Sequence, residues 1–455
     1  MSYYRIMGTH YRTVRDPMGE VKVPADALYG AQTQRAAENF PISGRRLQRP
    51  FLRALGLIKG CAARVNAEMG QLDAGIASAI EAASDDVAKG RYDTQFVVDV
   101  FQTGSGTSTN MNANEIIGEL AHAHPNDQVN RSQSSNDVFP AAMHIAFAEE
   151  TVHILVPEMK ALSGALKRKE TEFWEVFKIG RTHLQDAVPI RLGQEFGGYA
   201  RQVDLAEERI NAALEGLYEL PLGGTAAGTG VNAPPGFGAL VAGALAERTG
   251  LPFHEAQNHF EAQAAKDACG FLSGALRSYA ISLTKIANDI RWLGSGPRSG
   301  LGEIRLPAVQ PGSSIMPGKV NPVIAESVLM VCAQVIGHDA AVSWACAGGN
   351  FELNTMMPLI AYNVLDSIAL LAAATRNFAV RCVDGLEADK QRAGRLLDQS
   401  LAMGTVLASK IGYERAAAIV QEAWKEGKSV REVAQAKSGL SAGALDDLFD
   451  VSRQV

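Results

Sequence analysis

The stretch that decides the fold is LGQEFGGYARQVDLAEERINAALEGL, residues 192–217. Its apolar positions are Leu192, Phe196, Tyr199, Val203, Ala206, Ile210, Ala213 and Leu217, with steps that alternate four and three throughout. The same alternation runs through Leu272, Leu276, Tyr279, Leu283, Ile286, Ile290 and Leu293, and again through Ile324, Val328, Val331 and Val335. A sustained period of about 3.5 residues predicts long helices packed side by side in a bundle. Helices of about 25–30 residues span roughly 40 Å at 1.5 Å per residue. Their apolar stripes exceed what one compact subunit readily covers, so a homo-oligomer with a shared helical core is expected.

Outward from this centre the chain stays helical. Residues 1–48 are mixed, with turn signals at Asp16-Pro17-Met18-Gly19 and at Pro41. A helix is expected from Arg49 to Met69, and a second after the N-cap Asp73, stopping at Gly90. A further helix carries Pro140 in its first turn. Beyond Glu387 the pattern shortens and becomes more charged, with helices near Asp389–Ser400 and from Tyr413 to Gly427. The expected fold is mainly α, in three parts: a mixed, mostly helical N-terminal domain (1–134), a central long-helix bundle (135–386) and a small helical C-terminal domain (387–455).

Composition narrows the function. The net charge of −6 argues against a nucleic-acid partner, whose affinity comes largely from basic patches. The most apolar windows, such as Ile368–Ala374, fall short of a membrane span. The N-terminus lacks the charged-then-apolar pattern of a secretory signal, which makes the cytoplasm the default compartment. The five cysteines, Cys61, Cys269, Cys332, Cys346 and Cys382, are scattered without C-x-x-C or iron–sulfur spacing, and no H-E-x-x-H string occurs. Metal-free chemistry without a cofactor is expected.

Three polar segments interrupt the helices. Gly312-Ser313-Ser314-Ile315-Met316-Pro317-Gly318-Lys319-Val320-Asn321-Pro322 combines flexible glycines, two hydroxyls and one cation. Such a loop can present backbone N–H groups and a positive charge to a small anion. A plainer reading makes Asn321 a helix N-cap and Pro322 the first helical residue. Thr103-Gly104-Ser105-Gly106-Thr107-Ser108-Thr109-Asn110 leads into a helix, where small polar groups form an anion cradle. The third is Ser132-Gln133-Ser134-Ser135-Asn136. A glycine-rich stretch from Pro221 to Asn232 lacks the P-loop string and does not sit in an alternating strand–helix pattern, so it is not a nucleotide site.

These strings, with Tyr29-Gly30-Ala31-Gln32-Thr33-Gln34-Arg35, His124-Pro125-Asn126-Asp127, the continuation Ser134-Ser135-Asn136-Asp137 and Gly180-Arg181-Thr182-His183-Leu184-Gln185-Asp186-Ala187, line up in the order of the class II fumarases. The chain resembles that iron-independent family of the fumarase/aspartase superfamily from about Thr13 onward. Aspartases tend to carry Gln in place of His183 and Ala in place of Gly318; both positions here look like fumarase.

The resemblance implies a hydro-lyase that adds water anti across fumarate, giving (S)-malate through an aci-carboxylate. Such chemistry needs a base, an acid and fixed donors where charge builds up. Resemblance gives Ser314 the role of base at carbon, its alkoxide stabilised by amides near Ile315 and Met316; the residues alone do not separate it from Ser313. Lys319 would neutralise the developing dianion. His183 would act on the water side, oriented by Glu326. Substrate contacts implied are Ser105, Thr107, Ser134, Ser135, Asn136, Thr182, Ile315, Lys319 and Asn321. In this superfamily such motifs converge from three subunits of a tetramer.

His124, Asn126 and Asp127 resemble a second carboxylate site of the family. Here the preceding connection is short, and His122 and Ala123 stand where the family places a basic residue, which argues against binding there. The other histidines, His10, His144, His153, His254, His259 and His338, read as structural or surface groups. The sequence leaves two rivals: an ammonia-lyase on the same scaffold, which His183 disfavours, and a scaffold protein without activity, which a complete catalytic set disfavours.

Overall fold

A computed structural model describes residues 10–312 and 314–455 of the 455-residue chain; Ser313 lies outside the described residues. An antiparallel ribbon, β1 (Tyr11–Asp16) and β2 (Gly19–Pro24), is followed by helices α1 (Ala31–Asn39), α2 (Arg49–Glu68), α3 (Ala74–Ala88), α4 (Thr107–Ala121), α5 (Ser135–Glu150) and α6 (Val156–Glu172). A hairpin of β3 (Phe177–Thr182) and β4 (Gln185–Arg191) leads into α7 (Leu192–Leu214), α8 (Phe237–Thr249), α9 (His259–Ala264), α10 (Asp267–Leu293), α11 (Val323–Cys346) and α12 (Met357–Phe378). Five short helices close the chain: α13 (Lys390–Gln399), α14 (Gly404–Ile411), α15 (Tyr413–Glu426), α16 (Val430–Lys437) and α17 (Ala442–Phe449). The remaining strands are two-residue bridges, so the fold is mainly α.

The chain groups into two compact units. The first takes Met1–Pro157, Glu207–Ala280 and Ala333–Ala372. Helix α2 packs on α3 and α5, where Phe51 and Phe139, both fully buried, meet with ring centroids 4.5 Å apart. Asp73 caps α3, its side chain accepting from Gly75 and Ile76 N–H. In the same unit α10 meets α11 through Ser273 and Arg277, which hold Asp339 at 2.7 and 2.8 Å. Helix α11 meets α12 where His338 Nδ1 contacts Ser367 Oγ at 3.1 Å.

The second unit takes Glu158–Ala206, Ile281–Cys332 and Ala373–Val455. Here α7 meets α10, with Tyr199 donating to Asp289 at 3.0 Å. Helices α13 to α17 share an apolar cluster that includes Leu397, Leu407, Ile419 and Val430, and Ile179 of β3 joins it.

The 3.5-residue stripes of α7 and α10 behave as expected: every one of their positions is at most 5% exposed. Helix α11 departs from that pattern. Val328 and Val335 are buried, but Ile324 and Val331 are only half-buried, and the inward line runs through Ala325, Val328, Cys332 and Val335. Its outward side is also apolar, with Met330 68% and Trp344 77% exposed. Two helical segments, Val323–Cys346 and Met357–Val383, carry windows of mean hydropathy 1.4 and 1.6, longer apolar stretches than the sequence reading found. They meet the length and composition of a membrane span, yet so does the core helix of a water-facing protein, and the second window is 67% buried.

Two local expectations need correction. Helix α5 starts at Ser135, so Pro140 falls in its second turn. Helix α11 starts at Val323, and the Asn321 side chain closes the preceding loop, donating to Gly312 O at 2.8 Å.

Candidate active site

In the first unit the polar runs converge at two helix N-termini. Helix α4 begins at Thr107, well inside the run expected to be loop, so Asn110, Asn112 and Asn114 are helical and buried. Gly106 precedes it with φ +75, and a Cβ there would lie 2.0 Å from the Phe139 ring, so only glycine fits this approach. Ser105 Oγ, Thr107 Oγ1 and Ser135 Oγ form a chain of hydroxyls with both links at 2.7 Å. Ser134 is the N-cap of α5, in a capping box with Asp137. Orphan N–H groups and the helix dipoles of α4 and α5 give this corner an affinity for negative charge.

Beneath it lie two charges to which the sequence motifs assign no role. Asp137 is fully buried, and burial pushes its carboxyl up to about 6 against the pull of its backbone N–H donors. Lys59, also fully buried, is pushed down to about 7 by burial, with Asp137 opposing the shift. Its ammonium donates to Asn130 Oδ1 at 2.9 Å and Gln133 Oε1 at 3.0 Å. The available signal was a lysine set inside the apolar run Leu57-Ile58-Lys59 of α2.

In the second unit Thr182, His183 and Gln185 occupy the exposed tip of the β3–β4 hairpin. His183 and Leu184 form its two-residue turn with φ +57 and +60, the left-handed pair of a type I′ turn that usually takes Asn-Gly. Residues with side chains in that conformation are strained, and strain of this kind gathers at functional sites. Ser314, Ile315 and Lys319 are exposed on the Gly312–Asn321 loop, closed by the Asn321–Gly312 bond and by Lys319 N–H on Met316 O at 3.3 Å. Glu326 is exposed in the first turn of α11. Among the described residues it makes no ion pair with His183 within this chain.

The structure thus links Ser105, Thr107 and Ser135 directly, with Ser134 and Asn136 beside them in one unit. Thr182, His183, Ser314, Ile315, Lys319, Asn321 and Glu326 all belong to the other. His124, Asn126 and Asp127 are exposed on a short π-helical turn, Pro125–Val129, where His124 Nδ1 accepts from Asp127 N–H at 3.1 Å. The glycine-rich stretch wraps onto Asp137 through Gly223 and Thr225 N–H.

Long helices carrying a hydroxyl-lined anion corner define the class: a lyase family model, described simply as "Lyase", matches residues 19–337, and one described as "Fumarase C C-terminus" matches residues 404–453. The protein named "Fumarate hydratase class II" of Mycobacterium tuberculosis is 56% identical over 429 residues, covering 93% of this chain and 90% of its own. A solved class II fumarase from Schistosoma mansoni superposes with TM-score 0.94 at 40% identity, covering 97% of this chain and 98% of that one. A solved fumarate lyase:delta crystallin from Brucella melitensis gives TM-score 0.94 at 46% identity, covering 98% and 99%. The chain belongs to the class II fumarate hydratase family.

Proposed function

We propose that this protein is a fumarate hydratase, a hydro-lyase interconverting fumarate and (S)-malate. The observation that carries the reading is the hydroxyl chain of Ser105, Thr107 and Ser135 at two helix N-termini, a cradle of donors for one carboxylate, in a chain 56% identical to a named class II fumarate hydratase.

In the dehydration direction Ser314, as alkoxide, takes the proton from the carbon beside the carboxylate. The electron pair moves into that carboxylate, giving an aci-carboxylate dianion beside Lys319. The carbon–oxygen bond then breaks, and His183 protonates the departing hydroxide to water. Hydration reverses each step. Ser134, Ser135, Asn136, Thr182, Asn321 and the Ile315 amide complete the contacts, and Glu326 orients His183.

Within the proposal, these groups assemble from three protomers of a homotetramer, so the Glu326–His183 pair forms between chains. Support for the assembly comes from α11, whose outward apolar line is uncovered in one protomer. The five unpaired cysteines fit the cytoplasm of a reducing cell. Neither metal nor cofactor enters the scheme, and binding at His124, Asn126 and Asp127 forms no part of it.

The test follows ultraviolet loss of fumarate on adding purified protein, with and without ammonium. Loss without ammonium and with malate as product supports the hydratase. Loss only with ammonium overturns it in favour of an ammonia-lyase, and no loss in either overturns the enzymatic reading.

A further inference from the structure

We infer that the glycine-rich loop Leu222–Ala226, clamped by the buried Asp137 carboxylate, is a positioning element of the dicarboxylate site and acts through the side-chain amide of Asn136. The inference rests on the proposed role of Asn136 as a substrate contact.

Asp137 joins two distant segments. Its Oδ1 accepts Ser134 N–H at 2.9 Å, completing the cap of α5. Its Oδ2 accepts Gly223 N–H at 3.2 Å and Thr225 N–H at 2.9 Å, 86 and 88 residues further along the chain. A cap needs only the first of these bonds; the other two fix the loop against the start of the helix. The loop reaches this position through left-handed backbone at Gly223 (φ +96) and Thr225 (φ +54). Gln263, itself fully buried, braces it by donating to Thr225 O at 2.7 Å.

The loop then reaches back. Asn136 Nδ2 donates to Ala226 O at 2.8 Å. A carbonyl only accepts, so this contact fixes which end of the amide faces the loop. The second N–H of Nδ2 is left for a ligand. If the amide turned over, its oxygen would meet the Ala226 carbonyl, and two acceptors repel. Donor orientation matters because a substrate carboxylate is acceptor-only: the correct rotamer attracts it and the flipped one repels it. Asp137 thus sets the loop, the loop sets the Ala226 carbonyl, and the carbonyl sets Asn136.

Two variants test this. Asp137→Asn keeps the size but turns an amide toward the loop N–H donors. Gly224→Ala removes no hydrogen-bonding group, yet its Cβ would lie 2.2 Å from Gln263 Oε1 and 2.8 Å from His259 Cβ, so the loop or its Gln263 brace must shift. KM and kcat for fumarate and malate are read on each purified oligomer, beside its size-exclusion profile and Tm. Expected is a rise in KM of about tenfold, the weight of roughly one hydrogen bond at the site, with kcat changed less. In an Asn136→Ala background the rise should vanish. A fall in Tm with KM unchanged, or a rise that simply multiplies that of Asn136→Ala, overturns the inference. If Asp137→Asn does not fold, Gly224→Ala decides by the same criteria; if neither folds, Gln263→Ala, which removes only the brace on Thr225 O, is read in the same way. Asn136→Ala with unchanged KM overturns the substrate-contact reading and this inference together. Asn136→Ala that raises KM while the loop variants do not overturns this inference alone.

Discussion

Arg181 holds Glu303 with both terminal guanidinium nitrogens, at 2.9 and 3.0 Å, two residues before His183. Glu303 is fully buried and lies 3.4 Å from the ammonium of Lys178, which also donates to Glu195 at 2.9 Å. The strained His183–Leu184 turn therefore stands on a buried ionic base, and Asp186, on the other strand, accepts from Ser400 at 2.8 Å. Glu303→Ala leaves the Arg181 guanidinium without its carboxylate and Lys178 with Glu195 as its remaining carboxylate partner, and breaking a buried pair in this way costs about 3–5 kcal/mol. Arg181→Lys keeps the charge but loses the planar fork. Chemical denaturation should show a large loss for the first and a smaller one for the second, with kcat lowered in both as the turn loosens.

His183 and Ser314 are exposed and hold no core packing. His183→Asn and Ser314→Ala should each lower kcat by about 10²–10⁴, the usual weight of one acid–base group. Tm should stay unchanged for Ser314→Ala and should not fall for His183→Asn, since Asn suits the left-handed turn position. Fumarate absorbance gives the first quantity and differential scanning calorimetry the second. Unchanged kcat in either variant removes that residue from the proposed chemistry.

Helix α11 exposes Met330 and Trp344, 68% and 77% accessible, on one side of the helix. Met330→Glu places a charge on that apolar side while leaving the inward line intact. Light scattering should report a smaller assembly than for the parent, and activity should fall with it if sites are shared. A full-size, fully active Met330→Glu protein would move the subunit interface elsewhere.

Buried His144 supplies a pH dependence. Its Nδ1 bonds the Glu219 carbonyl at 2.9 Å, which requires a proton on that nitrogen. Burial, aided by the nearby Lys266 cation, pushes the ring down to about 4 from its ordinary 6.5. The unfolded chain thus binds more protons between those values, and stability contributed above pH 6.5 is lost as the pH falls toward 4. One such group is worth on the order of 3 kcal/mol. Asp137, pushed up to about 6, acts with the opposite sign at lower pH, so the comparison must be between parent and His144→Asn. Urea unfolding from pH 7 to 4.5 should show a shallower decline in the variant.

The long helices were legible because burial imposes a period: Leu192 to Leu217 and Leu272 to Leu293 are apolar wherever they turn inward, and the few exposed apolar residues, such as Ile281 and Trp292, do not obscure that stripe. Helix α11 was less so, since a helix apolar on two sides yields no single stripe, and reading Ile324 and Val331 as inward chose between faces that composition does not separate. Hydroxyls at Ser105, Thr107 and Ser135 could be named from their strings, whereas their contact depends on two helices starting at one corner. The contact between Asp137 and the Gly223–Thr225 loop is not legible in the sequence, because a bond across 86 residues leaves no local trace. Lys59 stood in plain view, but an isolated lysine in an apolar run does not reveal what neutralises it.

The hydroxyl chain has one further property. Each of Ser105, Thr107 and Ser135 carries a single mobile proton, and either oxygen of each link can donate. Head-to-tail bonding leaves the row two collective polarities, one with protons running toward Ser105 and one toward Ser135. An anion at one end accepts a hydrogen bond from the hydroxyl there and thereby selects the polarity of the whole row. The far end then turns acceptor without displacement of any heavy atom. A site built this way signals its occupancy through the orientation of protons, invisible to a heavy-atom superposition of filled and empty states.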